Sequence, residues 1–586
     1  MKSQMEVIPV ETDVLIIGGG LAGCMAAIKA REYDVKVTIA EKANTLSSGC
    51  AGTGVDHSWA YIPPVHEKMG LTLDDLVADH TRGLSQKFVN KELLRLVAGE
   101  NYDRMLDLEK FGIPIRYKDS NIPGNFRVVY QFHSMPTSFN FDGRDLKPVL
   151  TKTARKRGVE IVNRVMIVSL LTNDGKIAGA LGIGNKNGKI YSFKAKTVIL
   201  CTGRINRITR GVTGVWGNHR IPVNETGDGR SMAFRAGLPL LNMEFISPSN
   251  NYSIGNFELN LGSPGNTVQP AASVVDGDGN VIVPRTQFYD WANLGKEKTT
   301  GANGQRNGSS GGMRARPAYG EMHQQGKGPF YLDLTGGTED EINYIEWSIR
   351  NEGKGTLFLD YLKSQEGFDF RKDKLEWLPN SREMAGIASS GLQVDSRLET
   401  AIKGLFSAGD EVAGVPMAGA PGAFTMGWRA GEYAAKAAQQ QKSFASTGDR
   451  ELKELSDFCY GILDSKSGLH WREVEIAVQN VLDYYAGNVR SEKILKRGIE
   501  RLNFIRQNAQ FRAENPHELM RCLEVNSLID NAGMILMSSI ERQESRRAPF
   551  GFLRADYSEQ DDENWLAFLG IRKYNGNYEF SKIPIT

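Results

Sequence analysis

The sequence predicts an α/β chain organised on a parallel sheet, and three stretches predict it. Val14 to Ile17 is a short apolar run of the kind that lies buried between sheet neighbours. It leads straight into Gly18-Gly19-Gly20-Leu21-Ala22-Gly23 and the helix-forming run Cys24 to Ala30. Val35 to Ala40 reads as a second strand, and Thr197 to Leu200 as a third that ends in a glycine turn at Gly203.

Each piece of the first unit has a physical task. Gly18 permits the tight strand-to-helix turn, and Gly20 lets the backbone approach a pyrophosphate. Gly23 lets the helix pack on the strand while its N-terminal amides face phosphate charge. The second strand ends at Glu41, 23 residues beyond Gly18, where a carboxylate holds ribose hydroxyls. The unit is expected to bind a dinucleotide; an empty βαβ unit is the alternative. Lys42 to Gly54 follows, a small-residue segment that threads close to a flat ligand or else forms a surface loop.

Further along, residues 72–113 and 144–157 carry helical patterns. Gly158 to Val165 and a turn around Asn185 to Gly188 suggest a small antiparallel excursion. Asn224 to Gly229 leads into a helix over Arg230 to Ala236. From 240 to 380 the chain is rich in Gly, Asn, Pro and Ser, too long for a structureless loop, so an inserted domain is expected. Gly404 to Asp410 is another strand ending in glycine and an acid, and Gly419 to Thr425 opens a helix over Met426 to Gln440. After a polar linker at 443–450, residues 451–545 are helical in pattern, and the tail 546–586 is expected to wrap the surface. The expected domains are 1–239 and 385–442 for the nucleotide-binding unit, 240–384 for the insertion, and 443–586 for a C-terminal helical unit and tail.

At 586 residues, with 40% hydrophobic and 24% charged, the composition is that of an ordinary soluble protein of two or three domains. A net charge of +2 makes no case for nucleic acid or an anionic membrane. No apolar run reaches the length of a membrane span, and the N-terminus lacks a signal-peptide core, so a cytoplasmic location is expected. Cys24, Cys50, Cys201, Cys459 and Cys522 form no CxxC pair, so neither zinc, an iron–sulfur cluster nor any other metal is expected.

These motifs, in this order, resemble the flavoprotein subunits of fumarate reductase and succinate dehydrogenase and their relative, the adenylylsulfate reductase alpha subunit. The carriers are the glycine turn, AEKA at 40–43, TVILCTGR at 197–204, ETGDGRSMAFRAG at 225–237, GLFSAGDEVAG at 404–414, GEYAA at 431–435, and the stretch from Glu541 to Trp565. The resemblance implies a Rossmann-like FAD-binding domain, an inserted α+β capping domain and a C-terminal helical domain. It implies that Gly18, Gly20 and Gly23 cradle the pyrophosphate and Glu41 the ribose. Lys42, Ser47, Ser48, Gly52 and Thr53 would line the path to the isoalloxazine, Val165 would meet the adenine, and Gly203 would lie at the returning strand's turn. Asp228 and Asp410 would contact the cofactor, with helix N-capping the other role open to them. Gly427 and Trp428 would fall where the last helix starts against the flavin.

Departures from the family pattern narrow the chemistry. The loop from Glu41 to Gly54 has Ser47 in place of a flavin-linking histidine, so non-covalent FAD is expected. Met243 to Asn250 and Asn380 to Ile387 lack the two substrate-site histidines, and Gly419 to Gly422 lacks the arginine. Those cations clamp two carboxylates, so a non-dicarboxylate substrate is expected. Arg314 and Arg316 resemble the region that grips an anion or donates a proton near the flavin, a solvated basic loop being the other reading. His219, Trp216 and His133 lie in segments able to reach the flavin. The expected activity is FAD-dependent exchange of a hydride or electron pair with a small organic substrate, electrons passing to a separate iron–sulfur or ferredoxin-like partner. An adenylylsulfate reductase-like or fumarate reductase-like enzyme, or a non-catalytic electron-transfer chain, are the alternatives.

Overall fold

A computed structural model describes residues 5–586 apart from 119, 121, 130–132, 211–221, 246–247, 250–271, 285–321, 323–324, 354–355, 378–380, 383–388, 447, 488, 547–549 and 586. Its centre is a seven-stranded sheet. β1 (Val7–Ile17), α1 (Leu21–Ala30) and β2 (Val37–Glu41) open the chain. β3 (Glu160–Asn163), β4 (Val165–Asn173), β5 (Lys176–Gly184), β6 (Ile190–Leu200) and β7 (Leu405–Ser407) complete the sheet, followed by α2 (Gly419–Gln440) and α3 (Pro516–Glu541). The order is β3-β2-β1-β6-β5-β4, with β7 also on β6. β3, β2, β1, β6 and β7 are parallel, and β4, β5 and β6 form an antiparallel meander. β6 takes β5 beside Ile190 to Lys194 on one edge, and β7 beside Val198 to Leu200 further along the same strand.

The apolar run in β1 is continuous because both faces are covered. Val14 and Ile16 point into a core shared with α1 and α2, and Leu15 and Ile17 into one shared with α3. The strand begins at Val7, earlier than the apolar run, because residues 7–12 pair with β6 alone and alternate toward solvent. Residues 160–163 are a parallel edge strand on β2 rather than part of an antiparallel excursion, whereas the turn at 185–189 does join antiparallel strands. The tail does more than wrap the surface. Ala567–Tyr574 and Asn577–Pro584 form a hairpin in a four-stranded sheet with Leu240–Leu241 and Gly391–Leu392.

α1 and α2 cross with their backbones in contact. A β-carbon on Gly427 would lie 2.5 Å from the Ala22 carbonyl oxygen, and one on Gly431 2.3 Å from that of Ala26. Glycines one turn apart make a seam that no larger residue could enter.

The insertion has a core of its own. Ser273–Val275, Val281–Val283, Phe330–Asp333 and Leu375–Trp377 form an antiparallel sheet, covered by helices Glu339–Glu352 and Thr356–Gln365 through Val274, Leu332, Ile345 and Leu359. It docks on the main sheet domain by polar contacts. Asn140 donates to the Tyr344 hydroxyl (2.8 Å), and Asn351 donates to the Phe141 carbonyl (2.6 Å) and accepts from the Arg144 amide (3.1 Å).

The C-terminal helices are joined to the sheet by a buried ionic network. Arg207 pairs with Glu475 (2.6 Å) and Glu524 (2.7 Å); Glu524 also pairs with Arg521 (2.7 Å) and Lys42 (2.9 Å), and Lys42 with Asp228 (2.7 Å). Such a network adds little net stability, but removing one member strands the others in a medium that cannot solvate them.

The packing sets how stability depends on pH. Although burial opposes it, the cations Lys42, Arg207 and Arg521 hold the Glu524 carboxyl well below the usual carboxylate range. Its contribution to stability is therefore present above about pH 4.5 and is lost as the pH falls further. Glu524→Gln should destabilise the chain by about 3–5 kcal/mol in urea unfolding at neutral pH; an unchanged midpoint would show the network to be dispensable. His66 accepts from the Ile62 amide and faces the Pro136 carbonyl, and burial pushes its pKa down to about 4. Its neutral form is favoured by folding, so this stability is intact above pH 6.5 and is lost as pH falls through about 4. His66→Gln should flatten the slope of thermal stability against pH across that window.

Candidate functional site

The strands β1, β2, β6 and β7 end on one edge of the sheet, and the glycine turn lies there. Gly18 has φ +99°, and a β-carbon on it would lie 2.4 Å from the Cys201 carbonyl oxygen. One on Gly23 would lie 2.0 Å from the Gly18 carbonyl. Gly20 differs: the nearest atom to its β-position is the Gly49 Cα, 4.0 Å away, so its face is open. Gly20 caps α1 without any side-chain hydrogen bond, leaving the first amides of the helix to an outside acceptor. Glu41, buried, accepts from the amides of Gly19 and Ala43, each at 2.6 Å. Each carboxylate oxygen keeps a second lone pair, so ribose hydroxyls still find an acceptor there.

The remaining expected residues divide into several groups. Ser48 donates to the Gly19 carbonyl (3.3 Å), and the Gly52 amide donates to that of Gly49 (2.9 Å), folding the 47–53 loop against the glycine turn. Ser47 is exposed. Thr53 meets the insertion: a β-carbon on Gly353 would lie 2.2 Å from its carbonyl oxygen. Val165 opens β4 beside Ala43, whose carbonyl takes the Arg164 amide at 3.1 Å. Gly203, with φ +82°, backs onto the Glu225 carboxylate.

Other expected positions have protein partners of their own. Lys42 is committed to Asp228 and Glu524, which raise its pKa against the desolvation that lowers it. Asp228 is the first residue of the helix Asp228–Arg235, which Gly227 caps; its carboxylate holds Lys42 and accepts from Thr226 (2.9 Å). Asp410 accepts from Arg204 at 2.7 Å. Gly427 and Trp428 are not at a helix start, because α2 begins at Gly419 and they lie about two turns inside it. Gly427 is in the α1 seam, and the Trp428 ring lies under Lys29 (5.0 Å) and Arg104 (4.6 Å). His133 is buried in a cluster with His80 (3.0 Å), Thr137 (2.7 Å) and the Trp59 ring. Arg314, Arg316, His219 and Trp216 lie outside the described residues.

Sequence reading missed a polar cluster beside the turn. The Cys50 thiol donates to Glu225 (3.2 Å), which also accepts from the Arg204 amide (3.2 Å). Burial, reinforced by Glu225, pushes the thiol pKa well up, and burial raises that of Glu225, so the pair retains a proton. Glu411, also raised by burial, accepts from the amide (2.7 Å) and hydroxyl (2.5 Å) of Thr202. The NETGDG and AGDE motifs did flag this region, but nothing local assigns these partners.

Among the described residues no group of His, Cys, Asp or Glu could hold a metal ion, and no helix is long and apolar enough to cross a membrane. The open face at Gly20, the uncapped helix end and Glu41 fit the diphosphate and ribose of a dinucleotide. Comparisons with known proteins agree. Residues 13–249 match the FAD binding domain family, and residues 476–586 the fumarate reductase flavoprotein C-term family. The chain is 25% identical to a CoM/CoB fumarate reductase chain of Methanothermobacter marburgensis, over 96% of this chain and 97% of that one. It is 26% identical to a fumarate reductase flavoprotein subunit of Mycobacterium tuberculosis, over 98% and 97%. Its fold is shared with adenylylsulfate reductase from Archaeoglobus fulgidus, at a TM-score of 0.82 and 23% identity, covering 99% of this chain and 96% of that one. The chain is an FAD-dependent oxidoreductase and belongs to the fumarate reductase and succinate dehydrogenase flavoprotein family.

Proposed function

We propose that this flavoprotein exchanges a hydride or electron pair with a small organic substrate that is not a dicarboxylate. One observation carries the reading: two cations that border the site are already neutralised. Lys42 is paired with Asp228 and Glu524, and Arg204 with Asp410. At the start of α2, where the family pattern has an arginine, stands Gly419-Ala420-Pro421-Gly422, and Met243 to Asn250 and Asn380 to Ile387 contain no histidine. A substrate with two carboxylates needs charged clamps for both.

Bound FAD supplies the redox step itself. The chain's own residues bind and orient it: Gly18, Gly20 and Gly23 at the diphosphate, Glu41 at the ribose, and the 47–53 loop along the path to the ring. FAD is held non-covalently; Ser47 is no flavin nucleophile, and the Cys50 thiol is kept protonated against Glu225. Cys50 and Glu225 hold a proton within the site, and Arg314 or Arg316 grips the substrate or delivers its proton. His219 serves the same site. Electrons reach or leave the flavin through a separate iron–sulfur or ferredoxin-like chain, since the five cysteines here are dispersed and four are buried.

A fumarate reductase-like activity is the second reading, favoured by the names of the relatives at 25% and 26% identity. One preparation tests both. After acid precipitation the yellow colour should stay in the supernatant; a yellow pellet would mean a covalent link. Photoreduced protein mixed anaerobically with fumarate should stay reduced over minutes, while a non-dicarboxylate with an activated carbon–carbon bond reoxidises it. Rapid reoxidation by fumarate would replace the first reading with the second.

A further inference from the structure

We infer that Lys147 is the buried counter-charge for the diphosphate of FAD and a positioning residue of the cofactor site. The inference rests on the FAD assignment and not on the substrate reading.

Lys147 is fully buried, in the first turn of the helix Leu146–Lys156. Its ammonium donates to the Gly19 carbonyl and lies 3.3 Å from the Cys24 sulfur. Ser48 shares that carbonyl (3.3 Å), as does the Cys24 thiol (3.4 Å). Among the described residues no carboxylate comes within ion-pairing distance of Lys147, in contrast to Lys42 and Arg204. An ammonium without a counter-ion in a dry interior costs several kcal/mol, and a lysine is retained there when something repays the cost.

The turn itself indicates what does. The Gly19 peptide carries a carboxylate on one end and an ammonium on the other: Glu41 accepts its amide at 2.6 Å, and Lys147 donates to its carbonyl. Each Glu41 oxygen accepts from one backbone amide, and the carboxylate forms no ion pair with Lys147. With Glu41 alone, the turn would present a fixed negative charge beside the seat of a dianion. Lys147 cancels that charge from behind, and adds to the open amides at the start of α1. The next residue, Gly20, is the one whose face is open.

The test separates charge from shape. Full-length protein stripped of flavin, unaltered or carrying Lys147→Met or Lys147→Arg, is titrated calorimetrically with FAD, ADP and adenosine. Lys147→Met should weaken FAD and ADP by roughly 10- to 100-fold and adenosine by less than about twofold, as loss of a nearby buried charge felt by the diphosphate alone would. Lys147→Arg should retain most of the affinity. Flavin-free Lys147→Met should melt no lower than the unaltered flavin-free chain, since it removes a buried charge that nothing yet balances. Equal losses for ADP and adenosine would overturn the proposal, leaving Lys147 as a prop for the Gly19 carbonyl. Unchanged ADP affinity, or a variant that fails to fold, would overturn it too. An unaltered chain that takes up no FAD would overturn the cofactor assignment itself.

Discussion

The contact on which the site depends is the one between the backbones of α1 and α2. With Gly427 and Gly431 against Ala22 and Ala26, the two helices approach as closely as main chains allow. Both start at the edge where the parallel strands end, and neither Gly20 nor Ala418 caps its helix with a side chain. Two sets of unspent amides are thereby held in fixed relation by a seam that cannot slide without a clash. Ligands in open α/β sheets bind beyond the carboxyl ends of the strands, and here that location is rigid because the helices behind it are locked.

Around this frame the polar groups work by balance. Burial drives the Glu225 and Glu411 carboxyls toward neutrality, whereas cations keep Glu524 ionised. The same Glu524 belongs to α3 and reaches Lys42, one residue after the ribose acid. The helical region is thus electrically part of the cofactor domain, and Lys42 is the link between them.

What was legible in the sequence was what local chemistry decides. The turn at Gly18 to Gly23 and the acid at Glu41 follow from steric and hydrogen-bonding needs within about thirty residues. Partners chosen in three dimensions left no mark: Cys50 gives no hint of Glu225, and Lys147 reads as one more basic residue on an amphipathic helix. The start of α2 escapes sequence reading for a physical reason. Gly419 to Gly422 contains glycines and a proline, yet Pro421 falls in the first turn, where the missing amide has no partner to lose. That shift leaves Gly427 and Trp428 about two turns inside the helix, with Gly427 in the seam. The hidden half of β1 shows the converse, since a strand with one exposed side does not advertise itself as an apolar run.

The sharing of β6 between β5 and β7 has a consequence for how the chain is made. Ser407 hydrogen-bonds the Leu200 carbonyl across 207 residues of sequence. At a synthesis rate of about 5–20 residues per second, the C-terminal end of β6 emerges from the ribosome roughly 10–40 s before its neighbour exists. In that interval the inserted unit, with its own core, is complete enough to fold, while the sheet it interrupts keeps an unpaired edge at the nucleotide seat. The architecture therefore imposes a birth order, in which the inserted unit precedes the last strand of the sheet that carries it.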